Sequence, residues 1–477
     1  MNKALLSLYF CLPPHLRTIA ATLRGLYLRS WRYGPDTEKI VEEAWQKDWW
    51  SADTLKSWQQ DRLAFVLNRA ATRVPYYREQ WAARRRRGDR VSWDYLENWP
   101  LLTKDTVRQN TGAFVADDCS LRNMFHEHTS GSTGTPLDLW WSHRIVRAWY
   151  ALFELRCRHW YQVSRWDRWA ILGGQLVTPA VQRRPPFWVW NAALNQLYMS
   201  SYHLGQDLIS YYLDALKQYR VKYVLGYTSS LYALAQEILR LQRKDLTMTV
   251  AITNAEPVFE HQRKIIAEAF NCPVRETYGM AEIVAAASEC HTGRLHVWPE
   301  VGWIEVLENG RLVGDGIVGD LVCTSLLNVD MPLIRYCVGD RAALQTSEPA
   351  CSCGRSLAIL NPLEGRIDDT LYTTDGRRIG RLDPVFKDHL SIREAQIIQD
   401  AIDKIRIRYV PATDFSPRAA RLMVERLKER MGPIEVILEE MKEIPRTKNG
   451  KLRSVICRIS GTEPKHTSNI VPKNLNF

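Results

Sequence analysis

Five hydroxyl side chains and two glycines take seven of eight consecutive positions, Thr129-Ser130-Gly131-Ser132-Thr133-Gly134-Thr135-Pro136. A loop of this make-up offers backbone N–H and side-chain O–H donors to phosphate oxygens, and its glycines carry no Cβ to block the approach. It is not a Walker loop, because the glycine spacing differs and no Gly-Lys-Ser/Thr follows. Alone it reads more readily as a plain linker. A second group, Glu276-Thr277-Tyr278-Gly279-Met280-Ala281-Glu282, sits where a predicted strand ends, the place where ligands collect in open α/β sheets. There Tyr278 can stack on a purine, Thr277 can hydrogen-bond a phosphate or a carboxylate, and Glu282 can hold Mg2+ through oxygen. Asn254-Ala255-Glu256-Pro257 ends the preceding predicted strand and is expected alongside. A third group is Pro332-Leu333-Ile334-Arg335-Tyr336 followed by Gly339-Asp340 and then Gly365-Arg366-Ile367-Asp368-Asp369, in which an Asp can accept hydrogen bonds from both ribose hydroxyls. The fourth, Pro445-Arg446-Thr447-Lys448-Asn449-Gly450-Lys451, presents a lysine on a glycine turn. Each pattern alone has a bland alternative as a turn, a surface ion pair or a loop.

Positioning these groups requires a scaffold, and the chain supplies the pattern for one. Residues 36–83 show apolar positions at three- and four-residue spacing and predict helices, and the arginine run Arg84 to Arg87 reads as a solvated loop closed by Gly88-Asp89. A helix crowded with Arg and Trp is expected over 143–160. Strands at 221–225, 249–253 and 274–277 alternate with helices at 231–241 and 260–270, which predicts parallel α/β construction. Residues 301–345 switch to a β-rich pattern with a turn at Asn309-Gly310, and the C-terminal part offers strand 403–410, helix 418–430 and strand 434–439, a small α+β domain.

The 477 residues allow several domains with a large core, and 25% charged against 45% hydrophobic residues excludes wholesale disorder. From residue 371 onward 21 Lys+Arg stand against 14 Asp+Glu, so +7 of the net +11 lies in the last quarter, a basic unit suited to anionic partners. No binding-module pattern points to nucleic acid. Ten scattered cysteines do not form a secreted disulfide framework, and a cytoplasmic location is expected. The apolar stretch Ala4 to Leu12 is stopped by Pro13-Pro14, far short of the ~20 residues that span a bilayer. Residues 4–33, amphipathic and basic, are a candidate peripheral contact with the inner membrane surface.

In this order and at these separations the four motifs resemble the adenylate-forming superfamily, and within it phenylacetate-CoA ligase and its relatives encoded with capsule-polysaccharide biosynthesis genes. The resemblance runs from Val74-Pro75-Tyr76-Tyr77-Arg78 to Lys451. It implies an α/β fold: a large N-terminal domain over 1–367, with layered sheets and helices and a small β-rich subdomain, then a small mobile α+β domain over 368–460 and a disordered tail over 461–477. It also implies a two-step reaction. A carboxylate attacks the α-phosphate of MgATP to give an acyl-adenylate and pyrophosphate, and a thiol (CoA or a carrier pantetheine) or an amine then displaces AMP. By this resemblance Thr129, Ser130, Gly131, Ser132, Thr133 and Gly134 embrace the β- and γ-phosphates. Asn254, Ala255, Glu256 and Gly279 line the nucleotide site with Tyr278 on adenine, Thr277 and Glu282 act at the reacting end with Mg2+ on Glu282, Asp340 holds the ribose, and Arg366 bridges nucleotide and hinge. Asp368 falls on the hinge and Lys451 on the lysine that bridges carboxylate and α-phosphate. Thr135 departs from the pattern, since many members carry Lys there. The alternative class is a non-catalytic nucleotide-binding partner in polysaccharide assembly, which Thr135 favours and the retained Glu282, Asp340 and Lys451 disfavour.

Tyr202, His203, Gly226 and Tyr227 fall where members of this family line the acyl pocket, with Trp140, Trp141, Trp188 and Trp190 as further candidates. The acid and the acceptor stay open. Finally, Cys290, His296, Cys351 and Cys353 supply three soft sulfurs and one imidazole, a closed tetrahedral zinc set that the phenylacetate-CoA ligase relatives resemble. Unliganded thiols and a redox switch are the alternatives, Cys272 and His291 are spare ligands, and four protein ligands leave no open catalytic position.

Overall fold

The computed structural model describes residues 8–128, 137–175, 177–179, 182–204, 207–346, 351–361, 365–366, 371–374, 378–379, 385, 392–412, 415–446 and 452–459. The phosphate-loop candidates Thr129 to Pro136, the hinge candidate Asp368, Lys451 and the segment 461–477 lie outside the described residues; of Arg366 only the backbone is described. The chain divides into two compact units, one of residues 1–367 with 445–452 and the other of residues 368–444 with 453–477.

The first unit opens with helix α1 (Pro14–Arg32), and α2 (His143–Cys157) carries the Arg- and Trp-rich pattern. Arg156 in its last turn and Arg158 just past its end are buried. Arg156 places Nη2 2.8 Å from Asp48 and Nη1 2.7 Å from Glu300, and Arg158 pairs with Glu154 at 2.7 Å. Burial alone would push Asp48 well above the usual carboxylate range, and the paired guanidinium offsets only part of this. A correction concerns Arg84–Arg86, expected in a loop: they form the last turn of helix Pro75–Arg86. Cations are favoured at a helix C-terminus by the peptide dipoles, and Gly88, at φ +84°, follows the helix end.

The expected parallel α/β core is present. Strands β1 (Trp169–Gly173), β2 (Gln196–Ser200), β3 (Tyr223–Tyr227), β4 (Ala251–Asn254) and β5 (Val274–Gly279) lie side by side in the order β2-β1-β3-β4-β5, all parallel. All five β3 residues are buried, as a strand covered on both faces demands. Helices α3 (Thr228–Arg240) and α4 (Glu260–Phe270) form the crossovers, and α3 buries Leu231, Leu234, Ala235 and Ile238 at helical spacing. Beyond β5 the sheet turns antiparallel through β6 (Ala286–Glu289) and β7 (Leu295–Val297) and reaches the β-rich subdomain, which includes β8 (Tyr336–Gln345). Asn309 and Gly310, both at positive φ, make the expected two-residue turn between Glu308 and Arg311.

The second unit is a four-stranded sheet, Glu435–Glu440, Lys404–Pro411, Ile392–Ala401 and Val455–Cys457 in that order, with helix Pro417–Met431. Its core gathers Ile397, Ile405, Ile407, Met423 and Leu427.

Candidate active site

Register places the carboxyl ends of the parallel strands at one level: Leu172 opposes Gly226, Tyr227 opposes Asn254, and Thr253 opposes Glu276. Tyr227, Asn254 and Thr277 therefore share the edge where open sheets bind ligands. Only glycine fits at 226, since a Cβ there would sit 2.9 Å from the Leu172 carbonyl oxygen. Thr277 ties β5 to β4 by donating Oγ1 to the Thr253 carbonyl at 2.9 Å.

At the end of β4 the backbone is strained. Ala255 stands at φ +61°, a left-handed conformation that a Cβ-bearing residue adopts at a cost. Glu256 organises the neighbouring helix start, accepting from Ser229 N at 2.8 Å and from Ser229 Oγ at 3.1 Å. Both described flanks of the Lys451 segment, which belongs to the same unit, reach this pair: Arg446 donates to Ser229 Oγ at 3.2 Å and Leu452 N to Glu256 Oε1 at 3.0 Å. Asn254 Oδ1 is buried and has no hydrogen-bond partner among the described residues. A buried acceptor left without a donor is costly and rare, and at a strand's carboxyl end it fits a ligand N–H or O–H.

The structure brings Tyr278 and Asp340 together: the Tyr278 hydroxyl donates to Asp340 Oδ2 at 2.9 Å. Asp340 lies on β8, where its backbone pairs with Arg366. Glu282, 8% exposed, accepts from Tyr336 Oη at 3.0 Å and lies 3.5 Å from Lys104 Nζ. Ile283 and Arg335 beside these residues are also left-handed, at φ +50° each. Lys104 and Tyr336 were not among the expected site residues. Tyr336 lay within a motif already noted, but Lys104 is 178 residues from Glu282 and no local pattern points to it.

The acyl-pocket candidates divide. The Tyr202 hydroxyl donates to the Gly174 carbonyl at 2.9 Å at the strand edge, and burial pushes the Tyr227 hydroxyl up to about 12. His203 is 2% exposed, with Nδ1 2.8 Å from Ser200 Oγ and Nε2 3.1 Å from the Pro179 carbonyl, so both ring nitrogens are engaged by the protein. Trp190 stacks on Tyr219 and Trp188 meets Tyr212 edge-on, packing against helix Ile209–Gln218.

Cys290, His296, Cys351 and Cys353 converge, all buried, with their ligand atoms within 4.8 Å of one another. Cys290 Sγ and Cys351 Sγ are 3.8 Å apart, too far for a disulfide and close to the edge, about 3.8 Å, of a tetrahedron with metal–sulfur bonds of roughly 2.3 Å. His296 donates Nδ1–H to the Leu357 carbonyl at 3.1 Å, leaving the Nε2 lone pair 3.3 Å from Cys353 Sγ. A backbone acceptor that fixes the tautomer in this way is typical of a ligating imidazole. The donor set fits zinc.

The CapK C-terminal domain family matches residues 371–458. Protein CapK of Staphylococcus aureus is 25% identical over 94% of this chain and 98% of its own length. Phenylacetate-coenzyme A ligase of Thermus thermophilus is 28% identical over 50% of this chain and 61% of its own. A crystal structure of 2-hydroxyisobutyryl-CoA ligase with a bound acyl-AMP superposes with a TM-score of 0.67 at 19% identity, over 86% of this chain and 91% of that one, which establishes the fold. These findings support the resemblance to the adenylate-forming superfamily, and within it to CapK and the phenylacetate-coenzyme A ligases.

Proposed function

We propose that this protein is a cytoplasmic, AMP-forming ligase that joins a carboxylic acid to the α-phosphate of ATP, releases pyrophosphate, and passes the acyl group to a thiol of CoA or a carrier pantetheine, or to an amine. The observation that carries the reading is the placement of Asn254, whose buried acceptor has no partner among the described residues, Glu256, Tyr278 and Glu282 at and just beyond the carboxyl ends of the adjacent strands β4 and β5, with Asp340 bonded to Tyr278. Tyr278 offers its ring to the adenine and Asp340 its second carboxylate oxygen to the ribose. Asn254 Oδ1 takes a donor from the base. Glu282 is the residue that would hold Mg2+, whose charge would offset that of the phosphates. Thr277 and the backbone of Ala255 and Gly279 border the reacting end, and Tyr202, Gly226 and Tyr227 border the acyl group. Arg366, whose backbone pairs with that of Asp340, takes the place that the resemblance gives to the bridge between nucleotide and hinge, and Asp368 takes the hinge position.

The test is substrate-dependent pyrophosphate and AMP release across a panel of aryl, arylacetic, amino and uronic acids, first without acceptor, then with CoA and with amines. Release with at least one acid supports the ligase. The alternative, a nucleotide-binding partner without catalysis, has one observation of its own: Lys104 already neutralises Glu282. ATP binding with no pyrophosphate from any acid would establish that alternative.

Asp340→Ala is expected to weaken ATP binding about tenfold or more, the equivalent of one charge-assisted hydrogen bond at roughly 1.5 to 3 kcal/mol, with the fold retained. Unchanged affinity by calorimetric titration would remove Asp340 from the site.

A further inference from the structure

Helix α1 packs the wrong way round for a helix on a water-facing surface. Its buried residues are Arg17 and Gly25. Arg17 turns inward, donating to Thr178 Oγ1 at 2.9 Å, Gln182 Oε1 at 3.1 Å and the carbonyls of Leu12 and Phe10 at 2.8 and 3.1 Å. Gly25 faces Asn191 so closely that a Cβ would come within 2.0 Å of its side chain. The large aliphatic residues point outward: Ile19 is 54% exposed, Leu23 62% and Leu26 52%, with Leu16 and Tyr27 completing the same stripe at three- and four-residue spacing. An ordinary surface helix buries such a stripe and exposes its arginine.

The charge around the stripe is of one sign. Between residues 8 and 35 the chain has no Asp or Glu, and Arg24 and Arg29 are exposed beside the stripe. Arg183 and Arg184, also exposed, follow Gln182, the partner of Arg17, and so extend the cationic surface past the start of the helix. We propose that this face of α1 seats on an anionic phospholipid surface, with the aliphatic stripe at the level of the acyl chains and the arginines among the headgroup phosphates. Charge decides the occupant, because a second copy of the chain would bring the same arginines together with no acidic residue to meet them. The helix lies along the surface. No helix among the described residues is long and apolar enough to cross a membrane.

The experiment is flotation of the full-length protein with vesicles of phosphatidylcholine alone or of phosphatidylcholine with phosphatidylglycerol. The protein should float with the anionic vesicles, with partitioning at least tenfold weaker on the neutral ones and reversed by salt. Leu23→Gln/Leu26→Gln changes only exposed positions and should weaken partitioning about a hundredfold with melting temperature and ATP binding unchanged. Arg24→Gln/Arg29→Gln should cost about 25-fold, since each cation near a charged surface contributes roughly fivefold. The proposal fails if the wild type stays unbound with anionic vesicles or if the double leucine variant floats as well as the wild type. A dimer in light scattering that the leucine variant dissociates, without vesicle binding, would assign the face to a second copy and likewise overturn it.

Discussion

Lys451→Ala is expected to slow formation of the acyl-adenylate by about 10²-fold or more, the scale seen when one preorganised charge donor is lost, while leaving the melting temperature unchanged. The expectation rests on chemistry and on where the segment is tethered. Two anions, carboxylate and α-phosphate, must approach each other, and a lysine between them offsets their repulsion and stabilises the charge that shifts in the transition state. Arg446 and Leu452, on either side of Lys451, bond to Ser229 and Glu256 at the strand edge that also carries Asn254. The second half-reaction should respond differently. Given a chemically prepared acyl-adenylate, Lys451→Ala should form product at near wild-type rate, because acceptor attack on the carbonyl needs no bridge to the α-phosphate. Asp368→Pro, which fixes φ near roughly −65° at the proposed hinge, should show the converse pattern, with adenylation spared and the second step slowed. Equal loss in both half-reactions for both variants would assign these residues to folding or general binding, and the two-step assignment would have to be given up.

How much of this was legible beforehand depended on distance along the chain. Helix Glu260–Phe270 was expected over those residues, because its apolar positions Ile266, Ala269 and Phe270 recur at helical spacing and the strands on either side are short and apolar. The strand ends shifted by up to two residues, since neighbouring strands decide where a ladder stops and single-chain propensity does not. The Arg84–Arg86 run misled: charge density reads as a loop, yet a helix's last turn accommodates cations well. The partners of Arg156, Asp48 and Glu300, lie 108 and 144 residues away, so that an arginine-rich helix could not be seen to bury this charge. The same holds for Lys104 and Glu282. Motifs at strand ends were readable because the ligand chemistry is written in consecutive residues. What holds those residues is mostly long-range and becomes visible only when the chain has folded.

We expect Cys290, His296, Cys351 and Cys353 to hold zinc, and removing it or one of these side chains should produce the largest change in stability of any perturbation considered. Elemental analysis is expected to find one zinc per chain, and Cys351→Ser should release it and lower the melting temperature of the large unit. Two of the four ligands, Cys290 and His296, belong to a paired hairpin, and the other two come from a turn that the backbone ties to it through a single short strand. Cys290 follows β6, His296 lies in β7, and Cys351 and Cys353 stand in a turn joined to the sheet through the two-residue strand Ile359–Leu360. Closing these through a metal stabilises the folded state alone, because the unfolded chain does not assemble the site; structural zinc in small domains contributes on the order of 10 kcal/mol at neutral pH, and part of that should appear here. Burial pushes the Cys290 thiol up, but hydrogen bonding, including that with Thr292 Oγ1 at 3.0 Å, more than offsets it and holds the thiol below its ordinary range. Zinc and protons compete for the cysteines. Acidification should therefore release the metal and destabilise the protein in one transition, and this transition should shift to lower pH as free zinc is raised. His296→Ala should share the loss of zinc, whereas Cys272→Ser, outside the cluster, should not. Protein purified without chelator that carries no zinc, and whose melting temperature is unaffected by added chelator, would show that the four side chains are a reduced thiol cluster packed beside Trp160 and nothing more.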